Sequence, residues 1–173
     1  MNIPDVFHRL PGRYQLEEFL LYLSMHPDHW PQVLEVVYNH PDPKAAFRAL
    51  WACEKVSQRW PGWWTVDDRA RIKEMVLTSS HTGMLRLGIS ILNSLPIPEG
   101  DPDIVLINRL YDLMMQATIA VGVQAQAMRL LYALVKGNED LLYEFWLVLD
   151  QAADDFNSPA FRSARKNLLK RKR

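Results

Sequence analysis

Apolar residues recur at spacings of three and four along nearly the whole chain, and this period constrains the fold more than any other feature of the sequence. No stretch alternates apolar and polar residues for long enough to predict a strand. Proline and glycine interrupt the periodic runs where helices should begin or end. The sequence therefore predicts an all-α protein of about nine helices, at residues 14–25, 30–39, 44–60, 65–78, 83–95, 102–116, 121–136, 139–155 and 159–170.

A match at an offset of 39 residues indicates that the helices form repeated hairpins. Short connections between helices of this length favour antiparallel neighbours, which stack in sequence order. The offset brings Ala49, Gly88 and Ala127 into register, and small residues at such positions let two helices approach closely. Three further columns are apolar and complete one buried stripe: Leu50, Ile89 and Met128; Cys53, Leu92 and Leu131; and Val56, Leu95 and Leu134.

Four segments carry a resemblance to a known family: AFRALW at 46–51, MLRLGI at 84–89, AQAMRLL at 125–131 and SPAFR at 158–162. On these segments the chain resembles small bacterial HEAT-like proteins of the HEAT/armadillo-like helical-repeat superfamily. The resemblance implies one domain, a right-handed α-α superhelix of stacked antiparallel hairpins. Its expected parts are an N-terminal cap hairpin at 1–43, three repeats at 44–155 and a C-terminal cap helix with a basic tail at 156–173. It supplies no active-site residues.

Charge and cysteine content limit the compartment and the class of partner. Twenty Lys and Arg residues balance twenty Asp and Glu residues, so the total charge indicates neither a general nucleic-acid binder nor a polyanion mimic. A single cysteine excludes a disulfide within the chain and favours a reducing compartment. No run approaches the roughly 20 apolar residues that would span a membrane, and the start lacks the pattern of a secretory signal. We therefore expect a cytoplasmic protein.

Residues that could carry chemistry have structural interpretations here. Cys53 lies in an apolar column and is expected to be a core thiol. A proline separates His26 from His29 and breaks the helix that would direct both imidazoles at one metal ion. We instead expect a turn between two helices, in which Asp28 caps the second helix. The doublet Asp67-Asp68 lies in a predicted first turn, where carboxylates favour the helix dipole. We predict no catalytic residue, no metal site and no cofactor.

The C-terminal quarter separates acidic from basic residues. Residues 138–155 contain six acidic residues and no Lys or Arg, whereas residues 156–173 contain seven basic residues and no acidic one. We favour a cap in which the basic final helix packs beside the acidic helix and neutralises Asp154 and Asp155. The alternative is a small patch that binds nucleic acid or a membrane surface.

These features favour a non-enzymatic scaffold or adaptor that binds a protein or peptide partner. The expected binding face is a polar ridge on equivalent positions of the second helix of each hairpin, with Trp63 or Trp64 as an apolar anchor at one end. An ordinary solvated face is the alternative. The 39-residue offset aligns Arg69 with Asn108, and Lys73 with Asp112 and Gln151, while Arg109 lies beside Asn108.

The other candidate function is a HEAT-like nucleic-acid-binding protein similar to the alkylpurine DNA glycosylases. Such an enzyme needs a basic concave face with aromatic and acidic residues around an extruded base. The part of this chain that precedes its basic C-terminus has more acidic than basic residues, and no local pattern matches those enzymes. Salt dependence of binding discriminates the two functions, because phosphate contacts release counterions.

Overall fold

The computed structural model describes residues 2–9, 12–155 and 159–170, without the side chains of residues 9, 152–155 and 160. Ten α-helices and two short 3₁₀ turns form in these ranges, and none of the described residues lies in a strand. The turns are Pro27–His29 and Pro61–Trp63. The helices are α1 (Ile3–Arg9), α2 (Arg13–Met25), α3 (Trp30–Asn39), α4 (Pro43–Arg59), α5 (Val66–Thr78), α6 (Thr82–Ser94), α7 (Ile104–Met115), α8 (Val121–Val135), α9 (Glu139–Asp155) and α10 (Pro159–Leu169).

The nine helices predicted from the period are confirmed, with ends that differ by at most two residues, but the prediction missed α1. This helix has only seven residues, too few to show a helical period. Ile3 and Phe7, one turn apart, are fully buried. The Arg48 guanidinium fixes the end of α1 by donating hydrogen bonds to the carbonyl oxygens of Phe7 (3.0 Å) and His8 (2.9 Å).

The helices from α3 onward form two rows. In the central row, α4 packs against α6, α6 against α8, and α8 against α10. In the outer row, α3 packs on α4, α5 on α6, α7 on α8, and α9 also on α8. Neighbours are much closer in the central row than in the outer row, where α5 and α7 contact each other at few points. The division into repeats at 44–155 stays a prediction.

The repeated apolar columns form the core of the central row. Ala49, Gly88 and Ala127 are buried at equivalent positions of α4, α6 and α8, as expected from the 39-residue offset. The other columns are buried too, except that the last ends at the half-buried Leu134. Each fully buried leucine of such a stripe contributes about 1.5–3 kcal/mol to stability. None of the described helices combines the length and the apolar composition that crossing a membrane requires.

Capping residues begin several helices. Thr65 accepts a hydrogen bond from the amide of Asp68 (3.1 Å), and the Asp68 carboxylate accepts one from the amide of Thr65 (3.0 Å). This capping box confirms the structural interpretation of the Asp67-Asp68 doublet. The expectation for Asp28 was wrong: His29 is the N-cap residue of α3, and no side chain caps that helix, because a 3₁₀ turn occupies the connection.

The last helix covers the end of the stack. Phe161 and Leu168 are buried as α10 packs on α8. Arg165 links α10 to the acidic α9, donating from Nε to the carbonyl oxygen of Leu149 and from Nη2 to Asp150 Oδ1, both at 3.1 Å. The expected contact between the basic and the acidic helix therefore exists. The side chains of Asp154 and Asp155 and the residues after 170 lie outside the described residues.

Candidate functional site

The predicted polar ridge lies on the outer row, because its residues belong to α5, α7 and α9. The Arg69 guanidinium donates a hydrogen bond to the carbonyl oxygen of Pro96 (2.9 Å), and its partial burial lowers the pKa of Arg69. Lys73 Nζ forms an ion pair with Asp103 Oδ2 at 2.9 Å. Both cations thus join α5 to the segment that leads into α7.

Asp103 is the N-cap residue of α7 and accepts a hydrogen bond from the amide of Leu106 (3.1 Å). Burial by itself raises the pKa of Asp103, but the hydrogen bonds from Lys73 and Leu106 outweigh it and hold the pKa below its usual value. The carboxylate is therefore fixed in its charged form as a structural group. The small cavity beside it, about 190 Å³, is lined by Arg69 and Lys73 and by apolar side chains that include Leu92 and Leu106.

Arg109 does not point to a free surface. Its Nε donates to the carbonyl oxygen of Val76 (3.3 Å) and its Nη2 to that of Ser79 (2.9 Å), so it satisfies backbone carbonyls at the C-terminal end of α5. Asn108 and Asp112 are exposed one turn apart on α7, and Gln151 is exposed on α9. The structure thus brings Arg69, Lys73 and Arg109 to the junction of α5 and α7, and leaves the other three ridge residues exposed.

Four of the six tryptophans form a cluster that joins α3 to the connection between α4 and α5: Trp30, Trp60, Trp63 and Trp64. The Trp60 and Trp63 rings stack with centroids 4.8 Å apart, and Trp30 Nε1 donates to the carbonyl oxygen of Trp63 (3.1 Å). All three of Trp60, Trp63 and Trp64 are half-buried. The indole Nε1 of Trp64 is buried and has no hydrogen-bond partner among the described residues. Part of each indole surface is used in this packing and part remains accessible.

Other candidate groups for chemistry have structural surroundings. Cys53 is fully buried, and burial raises the pKa of its thiol, so it is the core thiol that the sequence predicted. His29 Nδ1 is hydrogen-bonded to the Tyr22 hydroxyl (2.8 Å), and the His26 ring contacts the same tyrosine at a tilt of 38°. Among the described residues, no group of three or more His, Cys, Asp or Glu side chains could hold a metal ion.

Charge is sorted between the two rows, a feature that the sequence analysis missed. The helices of the outer row contain four basic and eleven acidic residues. Those of the central row contain only one acidic residue, Glu54, which is buried and binds Ser90 and Lys55. The signal was available, but it requires counting charges over alternate helices instead of along the chain. The central row contains nine basic residues: Lys44, Arg48, Lys55, Arg59, Arg86, Arg129, Arg162, Arg165 and Lys166.

A groove of about 440 Å³ opens on this row where α6, α8 and α10 meet, and we call it the basic groove. Arg129 and Lys136 of the α8 segment are exposed along it. Asn93 of α6 and Asn167 of α10 line its two sides. The remaining lining residues are Tyr132, Ala133, Ala164 and Leu168.

The chain matches a known protein family. A family model described as a HEAT repeat domain matches residues 12–172, which is nearly the whole chain. No curated protein and no solved structure matches the sequence.

Proposed function

Because the chain belongs to the HEAT repeat domain family, we propose that it is a non-enzymatic scaffold that binds a protein or peptide partner. The observation that carries the proposal is the closely packed central row, where α4 packs against α6, α6 against α8, and α8 against α10. Surfaces of stacked hairpins suit extended partners. The pKa shifts of Cys53 and Asp103 have structural causes, because Cys53 is in the core and Asp103 caps a helix.

A second candidate function, nucleic-acid binding, is favoured by one observation, the excess of basic residues on the central row. The acidic outer row disfavours it. The likeness to the alkylpurine DNA glycosylases stays an untested alternative.

Partner capture followed by direct titration tests the proposed function. The full chain is immobilised, and captured macromolecules from the source cell are identified by mass spectrometry and sequencing. Each captured protein is then purified and titrated against the free chain by calorimetry. The scaffold function predicts saturable binding of at least one purified protein after nuclease treatment. Retention of nucleic acid alone, with no direct protein binding, would contradict it.

Variants of the predicted ridge show whether the outer row takes part. Asn108→Ala and Asp112→Ala remove exposed side chains and should weaken partner binding without lowering the melting temperature if the ridge binds. Arg109→Ala is the contrasting variant, since it removes two hydrogen bonds to backbone carbonyls and should cost about 1–3 kcal/mol of stability. Unchanged affinity in the Asn108→Ala/Asp112→Ala variant would remove the ridge from the binding surface.

A further inference from the structure

We propose that the basic groove binds an acidic segment of a partner protein. The inference rests on the proposed function and adds to it the place and the chemistry of binding. The groove lies on the closely packed central row, away from the ridge on the outer row that the sequence analysis favoured.

The two cations of the groove are spaced for a short peptide. Arg129 and Lys136 are seven residues apart on α8 and its last turn, so they share a face and their backbones are about 10 Å apart along the helix axis. An extended chain covers that distance in about three residues. Two carboxylates of one short acidic segment can therefore reach both cations.

These cations have no internal partner in the described part of the chain. The ion pairs of the central row engage Lys55 with Glu54, Arg59 with Glu17, and Arg165 with Asp150, and none involves Arg129 or Lys136. Arg86 of α6 is exposed and lies on the same helical face as Asn93. It therefore extends the positive field around the side chains of Arg129 and Lys136. Unneutralised cations in a concave surface raise the local concentration of anions.

The other groups that line the groove suit a polypeptide backbone. The side-chain amides of Asn93 and Asn167 can each donate and accept hydrogen bonds, as the N–H and C=O groups of a peptide require. Between them, Ala133 and Ala164 are small enough for a backbone to approach closely. A groove of about 440 Å³ also has the size of a short segment and not of a folded domain.

A nucleic acid fits the same surface less well. Single-stranded nucleic acid is usually held by several aromatic platforms. Among the described residues that line the groove, Tyr132 is the one aromatic residue, and it is half-buried.

Fluorescence anisotropy with a labelled octaglutamate peptide tests the inference on the full chain. We expect saturable binding that weakens as salt is raised. Arg129→Gln/Lys136→Gln should weaken binding roughly tenfold, because two ion pairs are lost. Arg13→Gln/Lys44→Gln is the matched control, since it removes the same charge from exposed positions outside the groove and should change affinity less than about twofold. Both variants should keep the parent melting temperature.

Four outcomes would overturn the inference. The peptide fails to bind at low salt, or both double variants weaken binding equally, which would show attraction by net charge alone. In the third, a labelled 20-base DNA, single- or double-stranded, binds more tightly than the peptide and loses affinity in Arg129→Gln/Lys136→Gln. A purified protein partner that binds this variant as well as the parent chain would also refute the groove, but it would leave the proposed scaffold function intact.

Discussion

Replacing Gly88 with alanine tests whether the contact between α5 and α6 requires a residue without a side chain. A Cβ atom at this position would lie 2.8 Å from Val76 Cγ2 and 2.9 Å from Met75 Cε. Both distances are shorter than side-chain carbon atoms tolerate, so one of the two helices must shift or the neighbouring side chains must move. The methionine can rotate away, but valine has one strongly preferred rotamer in a helix.

Two opposing effects decide the sign of the change. Alanine gains up to about 1 kcal/mol over glycine inside a helix. Inserting an extra carbon into a filled core costs about 1–3 kcal/mol. The rigid contact with Val76 favours the second effect, and we expect a net loss of about 1 kcal/mol, which lowers the melting temperature of a chain of this size by about 2–4 °C.

Urea unfolding followed by circular dichroism measures the change, and Gly122→Ala is the matched control. The nearest atom to a Cβ at Gly122 is Arg86 Cδ at 3.5 Å, an ordinary contact, so this variant should be neutral or slightly more stable. In a Val76→Ala background, Gly88→Ala should lose most of its cost, because the clashing methyl group is gone. The reasoning is refuted if Gly88→Ala stabilises the chain as the control does, or if its cost persists in that background.

Further predictions concern the C-terminal helix and the cap of α7. Leu168→Asp should destabilise the chain by more than about 3 kcal/mol, because a charge replaces a buried leucine. Deletion of residues 170–173 should leave the melting temperature nearly unchanged. Equal effects of the two changes would show that charge and not packing holds α10. Asp103→Asn should cost about 0.5 kcal/mol at pH 7 by breaking the ion pair with Lys73. Folding lowers the pKa of Asp103, so the stability difference between the parent chain and Asp103→Asn should be present above about pH 4 and vanish as the pH falls further. A stability difference that does not depend on pH would contradict the role of the ion pair.

The fold was predictable to the extent that it depends on a local period. The apolar spacing and the proline and glycine positions located nine helices, and the small residues at Ala49, Gly88 and Ala127 identified the buried face of the central row. The helix α1 was not predictable in this way, because it is short and is held by a contact with Arg48, which is about 40 residues away in the sequence.

The candidate site was less predictable, because exposure and hydrogen bonding depend on which helices become neighbours. The 39-residue offset aligns Arg69 with Asn108, and Arg109 follows Asn108 in the sequence. The offset does not reveal that the side chains of Arg69 and Arg109 donate hydrogen bonds to backbone carbonyls of adjacent segments. The basic groove was hidden for the same reason. Arg129 and Asn167 are far apart in the chain and come together only when α8 and α10 pack.

The sorting of charge between the rows has a consequence for handling the protein. At its sequence pI of about 7.0 the chain has no net charge, and a description by net charge alone predicts weak retention on any ion-exchange column. The basic central row and the acidic outer row instead separate opposite charges between the two layers. The protein should therefore bind both cation and anion exchangers at low ionic strength near neutral pH, presenting opposite sides to the two resins, and should adopt opposite orientations on positively and negatively charged surfaces.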